Sequence, residues 1–279
     1  MKKFLFLITI TIILYSCNSS SDTVVPPTDS LNGLINAIRE SIKLHPFDTL
    51  AKYKLVLILE DAGRYKEAIS VLDSMNISNA DSANTKTYYN YLFKRSELLM
   101  LAGDTTDAIK TLELFVIPGE LTEAGLRLVD LYAETKNPKA ISICDVMNKN
   151  DTGGHDPNPD YLKGVYYYNI NELDKALVQF NSCIRKDYTF MDAYMEKGRI
   201  LYKQKKYRDA IAVYDLVLTV SNSFADAFFW KAKCQEALGQ KQEAKLNYQR
   251  AYGLDKTLTE AKDAANRIIN LPAGRQVNN

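Results

Sequence analysis

The chain has 279 residues, 46% hydrophobic and 25% charged, which is enough material for a sizeable folded core and excludes a disordered or collagen-like chain. Lys and Arg total 35 against 34 Asp and Glu, so no net field draws the protein to nucleic acid, and no nucleic-acid partner is expected. The aromatic residues are weighted to tyrosine, 18 Tyr and 10 Phe against one Trp, and cluster at Tyr88-Tyr89-Asn90-Tyr91 and Tyr166-Tyr167-Tyr168, a supply of amphipathic rings suited to contact surfaces.

At the start of the chain Lys2 and Lys3 precede an apolar run, Phe4 to Tyr15. A bilayer-spanning helix needs roughly 20 apolar residues, so this shorter run reads as an export signal over residues 1–16. Its end, Leu14-Tyr15-Ser16-Cys17, resembles the lipobox of bacterial lipoproteins, with an aliphatic Leu14, a small Ser16 and the obligatory Cys17; Tyr15 is bulkier than that family usually carries. The resemblance implies that Cys17 becomes the processed, diacylated N-terminus. More than one acyl chain is what makes such an anchor stable. The alternative is a plain secretory signal with Cys17 an incidental thiol. Asn18 stands where inner-membrane retention in well-studied Gram-negative bacteria uses Asp, which favours the outer membrane, facing the periplasm or the surface. Residues 17–29 are rich in Ser, Thr and Pro without helical periodicity and read as a disordered tether. A dozen extended residues reach roughly 40 Å.

From residue 30 the sequence turns helical and repetitive. Six segments share a Gly, Asn or polar turn followed by an anchoring alanine: Ala68, Ala108, Ala140, Ala176, Ala210 and Ala244. Small residues recur twelve positions earlier at Ser96, Gly164, Gly198 and Ala232, and large apolar ones four positions later at Leu72, Leu112, Phe180, Tyr214 and Tyr248. This pattern resembles the tetratricopeptide repeat, a helix-turn-helix of about 34 residues, over about residues 34–256. The resemblance implies an all-α fold, a right-handed α-solenoid of five to six such repeats across residues 30–270, with a C-terminal capping helix. Residues 31–44 are expected to be the second helix of an incomplete first repeat, closing with Leu44-His45-Pro46. The third repeat, residues 121–154, is the most degenerate, with Gly125 inside its first helix. Asn137-Pro138 and Asn158-Pro159 read as N-cap followed by N1 proline. Leu258, Ala261, Ala265 and Ile268/Ile269 share one side of the capping helix. The tail 271–279 is expected to be disordered.

In this family the second, fifth, ninth and twelfth residues of each first helix line a concave groove, counting the recurrent small residue as the eighth. The fifth positions are then Tyr53, Phe93, Gly125, Tyr161, Met195 and Phe229. The twelfth are Glu60, Met100, Tyr132, Tyr168, Tyr202 and Glu236, and the ninth include Glu97, Arg199 and Lys233. The expected partner-binding groove is therefore an aromatic and Met-rich strip, carried by Tyr53, Phe93, Tyr161, Tyr168, Met195, Tyr202 and Phe229 with Arg199 and Lys233 among them. The competing reading packs half of these side chains between neighbouring repeats. The clamp by which chaperone-binding members grip a C-terminal carboxylate is not matched, since Tyr161, Val165 and Met195 stand where Lys or Asn is needed. The family implies a non-catalytic scaffold that binds a peptide or an envelope protein and is held at the membrane through Cys17. The alternative is a surface accessory that stacks sugar rings on the same tyrosines.

Signs of catalysis are missing from the sequence: no phosphate-binding glycine loop, nucleophile elbow or zinc spacing occurs, and neither a cofactor nor a metal is expected. His45 precedes Pro46 in a turn. His155 lies in the acidic loop from Asp151 to Asp160, which lacks the spacing of a calcium-binding loop. Cys144, Cys183 and Cys234 read as buried single thiols, a Cys144–Cys183 bridge requiring Cα atoms within about 7 Å. Asp followed by Ser or Thr recurs, as at Asp22-Thr23, Asp29-Ser30, Asp48-Thr49 and Asp104-Thr105. The pattern resembles an O-glycosylation acceptor of some Gram-negative bacteria, for which Thr23 and Ser30 are the best candidates; helix capping is the competing use of the same residues.

Overall fold

The computed structural model describes residues 28–77, 85–118 and 122–269. Cys17 and Thr23, the export signal, all of the expected tether but its last two residues, and the C-terminal tail lie outside the described residues. Among the described residues there are fourteen α-helices and no strand, and no helix is long and apolar enough to cross a membrane. The chain divides into two compact units, residues 1–75 and 76–279.

The first unit contains α1 (Thr28–Leu44), α2 (Thr49–Asp61) and α3 (Tyr65–Asp73). The helix expected at 31–44 starts three residues earlier, so Ser30 stands exposed in its first turn. Ile35, Leu55, Val56, Leu59, Ala68 and Leu72 are buried in this unit. Asp48 caps α2 by accepting from the Ala51 N–H at 2.9 Å, the capping use of an Asp-Thr pair.

The second unit stacks five helix pairs and a final helix. The pairs are α4 (Thr85–Leu101) with α5 (Thr105–Glu113), α6 (Glu123–Glu134) with α7 (Lys139–Asn150), α8 (Asn158–Asn169) with α9 (Leu173–Lys186), α10 (Met191–Lys203) with α11 (Tyr207–Val220), and α12 (Ala225–Ala237) with α13 (Lys241–Leu254). The last helix is α14 (Thr259–Ile269), which buries Ala261, Ala264, Ala265 and Ile268 against α12 and α13, with Leu258 packed beside them. It covers the apolar end that a solenoid would otherwise leave wet.

One device closes every pair in both units. The first helix ends on a residue with positive φ: Gly63, Gly103, Lys136, Asn171, Lys205 or Gly239. The next N–H then reaches back five residues, as from Glu172 to the Tyr167 carbonyl at 2.8 Å or from Lys206 to Leu201 at 2.9 Å. This is the Schellman closure, which satisfies carbonyls that the helix end leaves without partners.

The anchoring alanines are all fully buried, and Gly164 and Gly198 of the first helices face rings of the second. A Cβ on Gly164 would lie 2.5 Å from the Phe180 ring, and one on Gly198 would lie 2.5 Å from Tyr214. Glycine is required there by space, since ring and backbone already touch.

Three local expectations change. In the third repeat Asn137 reaches back to Tyr132, so Tyr132 corresponds to Tyr167 and precedes its anchoring alanine by eight residues instead of nine. The turn is one residue shorter, and the register of α6 moves by one. Tyr132 is consequently buried, with its hydroxyl on Glu113 of α5, instead of lining the groove; Gly125 leaves the fifth position, and Asp130 becomes the ninth. At the start of α8 the cap is supplied by Asp156, which accepts from the Asn158 backbone N–H at 2.8 Å, so Asn158 is the first helical residue. Asn137 does accept from the Lys139 N–H at 3.0 Å, but α7 itself begins after Pro138. Cys144, Cys183 and Cys234 are buried and free, and burial pushes each thiol up to about 12.

The first-helix face of the second unit

The face in question is built from α6, α8, α10 and α12, the first helices of four successive pairs. Helical spacing puts residues two, six, nine and thirteen of each on one side. On α10 these are Asp192, Glu196, Arg199 and Lys203, with Tyr202 beside them.

Tyr161 forms its centre. The ring packs 5.8 Å from Phe180 and 5.0 Å from Phe190, so its inner edge belongs to the core while the residue stays half-buried. Burial raises its hydroxyl well above the ordinary tyrosine value, and the carboxylates of Glu196, Asp192 and Asp130 push the same way, opposed by Arg199. Glu196 is ion-paired to Arg199 four-fifths out of water, yet burial still holds its carboxyl above the usual range. Asp192 is raised by burial too, with Arg199 the opposing charge. Asp130 is raised to about 6 by burial and by Glu134, with Arg127 opposing from 3.9 Å.

Toward the far edge of this face, cations lie on rings. Lys203 Nζ is 3.9 Å from the centre of the Tyr168 ring, and the Arg199 guanidinium is 5.5 Å from Trp230. Tyr202 stands edge-on to Trp230 at 5.7 Å and to Tyr207 at 5.4 Å. Lys233 is 5.1 Å from the Phe229 and Trp230 rings, and donates to Glu260 of α14 at 3.0 Å.

The expected strip is thus placed unevenly. Tyr161, Tyr168, Arg199, Tyr202 and Lys233 come together, half-buried, on this face. Met195 and Phe229 do not line it: at 3% and 6% exposure they belong to the core, Met195 with Tyr214 and Val217, Phe229 with Tyr248 and α14. Each is closed over by the second helix of its own pair and by the helix that follows, α11 and α12 for Met195, α13 and α14 for Phe229. Phe93 is half-buried on α4, and Tyr53 is 40% exposed in the first unit. Sequence reasoning missed Trp230, Glu196, Asp192 and Asp130. The first two occupy sixth positions, one turn after the second and on the same side, so the spacing rule alone could have found them. Asp130 was hidden by the one-residue change of register.

Relatives and solved structures agree with this architecture. Two family models described as tetratricopeptide repeat match residues 35–83 with 161–223, and 226–253, together half of the chain. Hsp70-Hsp90 organizing protein 1 of Glycine max is 26% identical over 209 residues, covering 71% of this chain and 33% of its own length. Hsp70-Hsp90 organizing protein of Triticum aestivum is 30% identical over 180 residues, 61% of this chain and 30% of its own. The chain spans about a third of the length of these curated relatives. A tetratricopeptide repeat protein from Parabacteroides merdae superposes with a TM-score of 0.62 at 18% identity, covering 87% of this chain and 93% of that one, a likeness of fold. With the repeated closures, the glycine–ring contacts and half the chain matched, this protein belongs to the tetratricopeptide repeat family.

Proposed function

We propose that this protein is a non-catalytic adaptor that captures a peptide or partner protein on the first-helix face of its second unit while acyl chains on Cys17 hold it at the outer membrane of a bacterial envelope. Tetratricopeptide repeats are protein-interaction scaffolds, and the observation that carries the reading here is the run of half-buried rings, Tyr161, Tyr168, Tyr202 and Trp230, on three consecutive first helices. Such rings bury large area at low entropy cost and dominate binding energies. The anchor is supported by the order Lys2-Lys3, apolar run, Leu14-Tyr15-Ser16-Cys17. Anchoring would raise the effective concentration of a captured partner at the membrane. The curated relatives are named for organizing Hsp70 and Hsp90. A chaperone tail is not the partner proposed here, because Tyr161, Val165 and Met195 stand where a carboxylate clamp would need Lys or Asn.

Two measurements test the reading. Tyr161→Ala with Tyr202→Ala should abolish cross-linking to an envelope partner while helicity is kept; undiminished cross-linking excludes this face. Cys17→Ser should block lipid labelling and release the protein from the membrane fraction, and retention there would exclude the anchor.

A further inference from the structure

The second unit ends on a capping helix, α14, whereas the first unit begins on α1, a second helix without a first. Leu34 stands 34 residues before Ala68 and so holds the place of the anchoring alanine, and Ile38 holds that of Leu72. In the six complete pairs the anchoring alanine is fully buried and the residue four later is at most 2% exposed. Leu34 is 48% exposed and Ile38 only half-buried. Beside them runs a groove of about 370 Å³, lined by Ala37, Ile38 and Ser41 of α1 and by Asp48, Leu50 and Lys54 of α2. Leu57, one turn beyond Lys54 on the same side of α2, is exposed as well. This groove lies where a first helix would pack on α1.

The chain before α1 does not supply that helix. In the register of the repeat it would span residues 15–27 and turn back at 28–30, the counterparts of 49–61 and 62–64. Yet α1 itself runs helical from Thr28, through the place of the turn. Residues 15–27 also carry three consecutive serines and Pro26-Pro27, poor material for a helix. The cover has to come from outside.

Two features say what it is. The groove holds one charge of each sign, Asp48 and Lys54, and Lys54 is in no ion pair among the described residues. A second copy related by a two-fold axis sets each lysine against the other chain's aspartate, whereas an acidic or a basic peptide would match only one of them. The amount of apolar surface fits too. Leu34, Leu50 and Leu57 are joined by Leu44 at the end of α1 and by Phe47 in the turn after it, which is 93% exposed. Together these expose several hundred Å², the upper range for a monomer's largest patch and of the order that each side of a standard interface hides, about 800 Å².

We propose that the first unit is a homodimerisation module, in which two copies meet across a two-fold axis and α1 of each lies along the α1–α2 groove of the other. The interface lies wholly within the first unit and requires neither the peptide face of the second unit nor the lipid anchor.

The test uses two full-length copies carrying different tags, co-expressed and purified through one of them, with a photoreactive benzoylphenylalanine in place of Leu50. Illumination should give a product of twice 31.6 kDa that carries both tags and is joined within α1 or α2 of the second copy. Leu34→Glu with Leu50→Glu should lower co-purification by about tenfold at unchanged helicity. Lys54→Glu, an exposed change that leaves the core alone, should weaken it as well by setting like charges across the axis. Cross-links to residues 4–15 of the same chain, cross-links only to another protein, or co-purification that both charge-bearing variants leave intact would each overturn the dimer. Cross-linking to a partner through Tyr161 and Tyr202 is a separate measurement, so the two readings fail separately.

Discussion

Lys186 Nζ lies 3.1 Å from Asp160 Oδ2, and the same ammonium donates to Asn148 Oδ1 at 2.9 Å and to the Asp156 carbonyl at 3.0 Å. Asn148 in turn donates to the other oxygen of Asp160 at 3.0 Å. One lysine at the end of α9 thereby fastens α7, the long loop after it and the first turn of α8, with Asp160 only 8% and Lys186 19% exposed. This cluster ties the acidic loop to the helices on either side of it.

Removing one member should cost far more than a surface ion pair. Lys186→Met leaves the Asp160 carboxylate buried without its counter-charge, and a loss of about 3 kcal/mol is expected in denaturant unfolding. A change under about 1 kcal/mol would mean that the pair behaves as an exposed one.

The two buried tyrosines one repeat apart should respond oppositely to loss of a hydroxyl. Tyr214→Phe removes an orphaned polar group and should raise stability by up to about 1 kcal/mol. Tyr248→Phe breaks a bond to the Glu236 carboxylate and should lower it by about 1–2 kcal/mol. Equal effects in thermal melts would contradict the assignment of these bonds.

Packing at the paired helices can be tested through the glycines. Gly164→Ala and Gly198→Ala each place a methyl within 2.5 Å of a ring that is itself fully buried. Neither ring can withdraw into free space, so overpacking of about 2 kcal/mol is expected for each. Gly253→Ala, where a Cβ meets nothing within 4 Å, is the control and should be neutral or stabilising.

Asp130 should make stability depend on pH in the sense opposite to a salt-bridged carboxylate. Its folded value, about 6, lies above the unfolded 3.8, so the folded state holds the proton more tightly. Its unfavourable contribution is absent below the unfolded value and complete above the folded one, so stability falls as pH rises from 4 through 6. The side chain is one-third exposed, which limits the effect to ~1 kcal/mol. Asp130→Asn should melt higher than the parent at pH 7 and equally at pH 4; identical melting at both would remove the effect.

Much of this architecture is legible in the residues themselves. Ala108, Ala176, Ala210 and Ala244 announce four of the helix pairs, because each is a buried alanine with a small partner twelve residues earlier, a steric requirement of close helix packing. The rings four residues later, Phe180, Tyr214 and Tyr248, follow from the same geometry, and so does α14, whose alanines sit on one side. These are relations within one repeat, where the helical period alone decides which residues meet.

Relations that depend on how one repeat meets the next became visible only in the folded chain. A turn shorter by one residue rotated α6, buried Tyr132 and turned Asp130 outward, a change that spacing between alanines could not register. Met195 and Phe229 share a position with Tyr161, yet they are buried and Tyr161 is not, because burial is set by the neighbouring helices. Lys186 and Asn148 are separated by 38 residues, and the buried Tyr214 hydroxyl finds no partner among the described residues whereas its counterpart Tyr248 does. Sequence periodicity determined the family and the pairs of helices; the packing between pairs decided which charges and rings were left facing outward together.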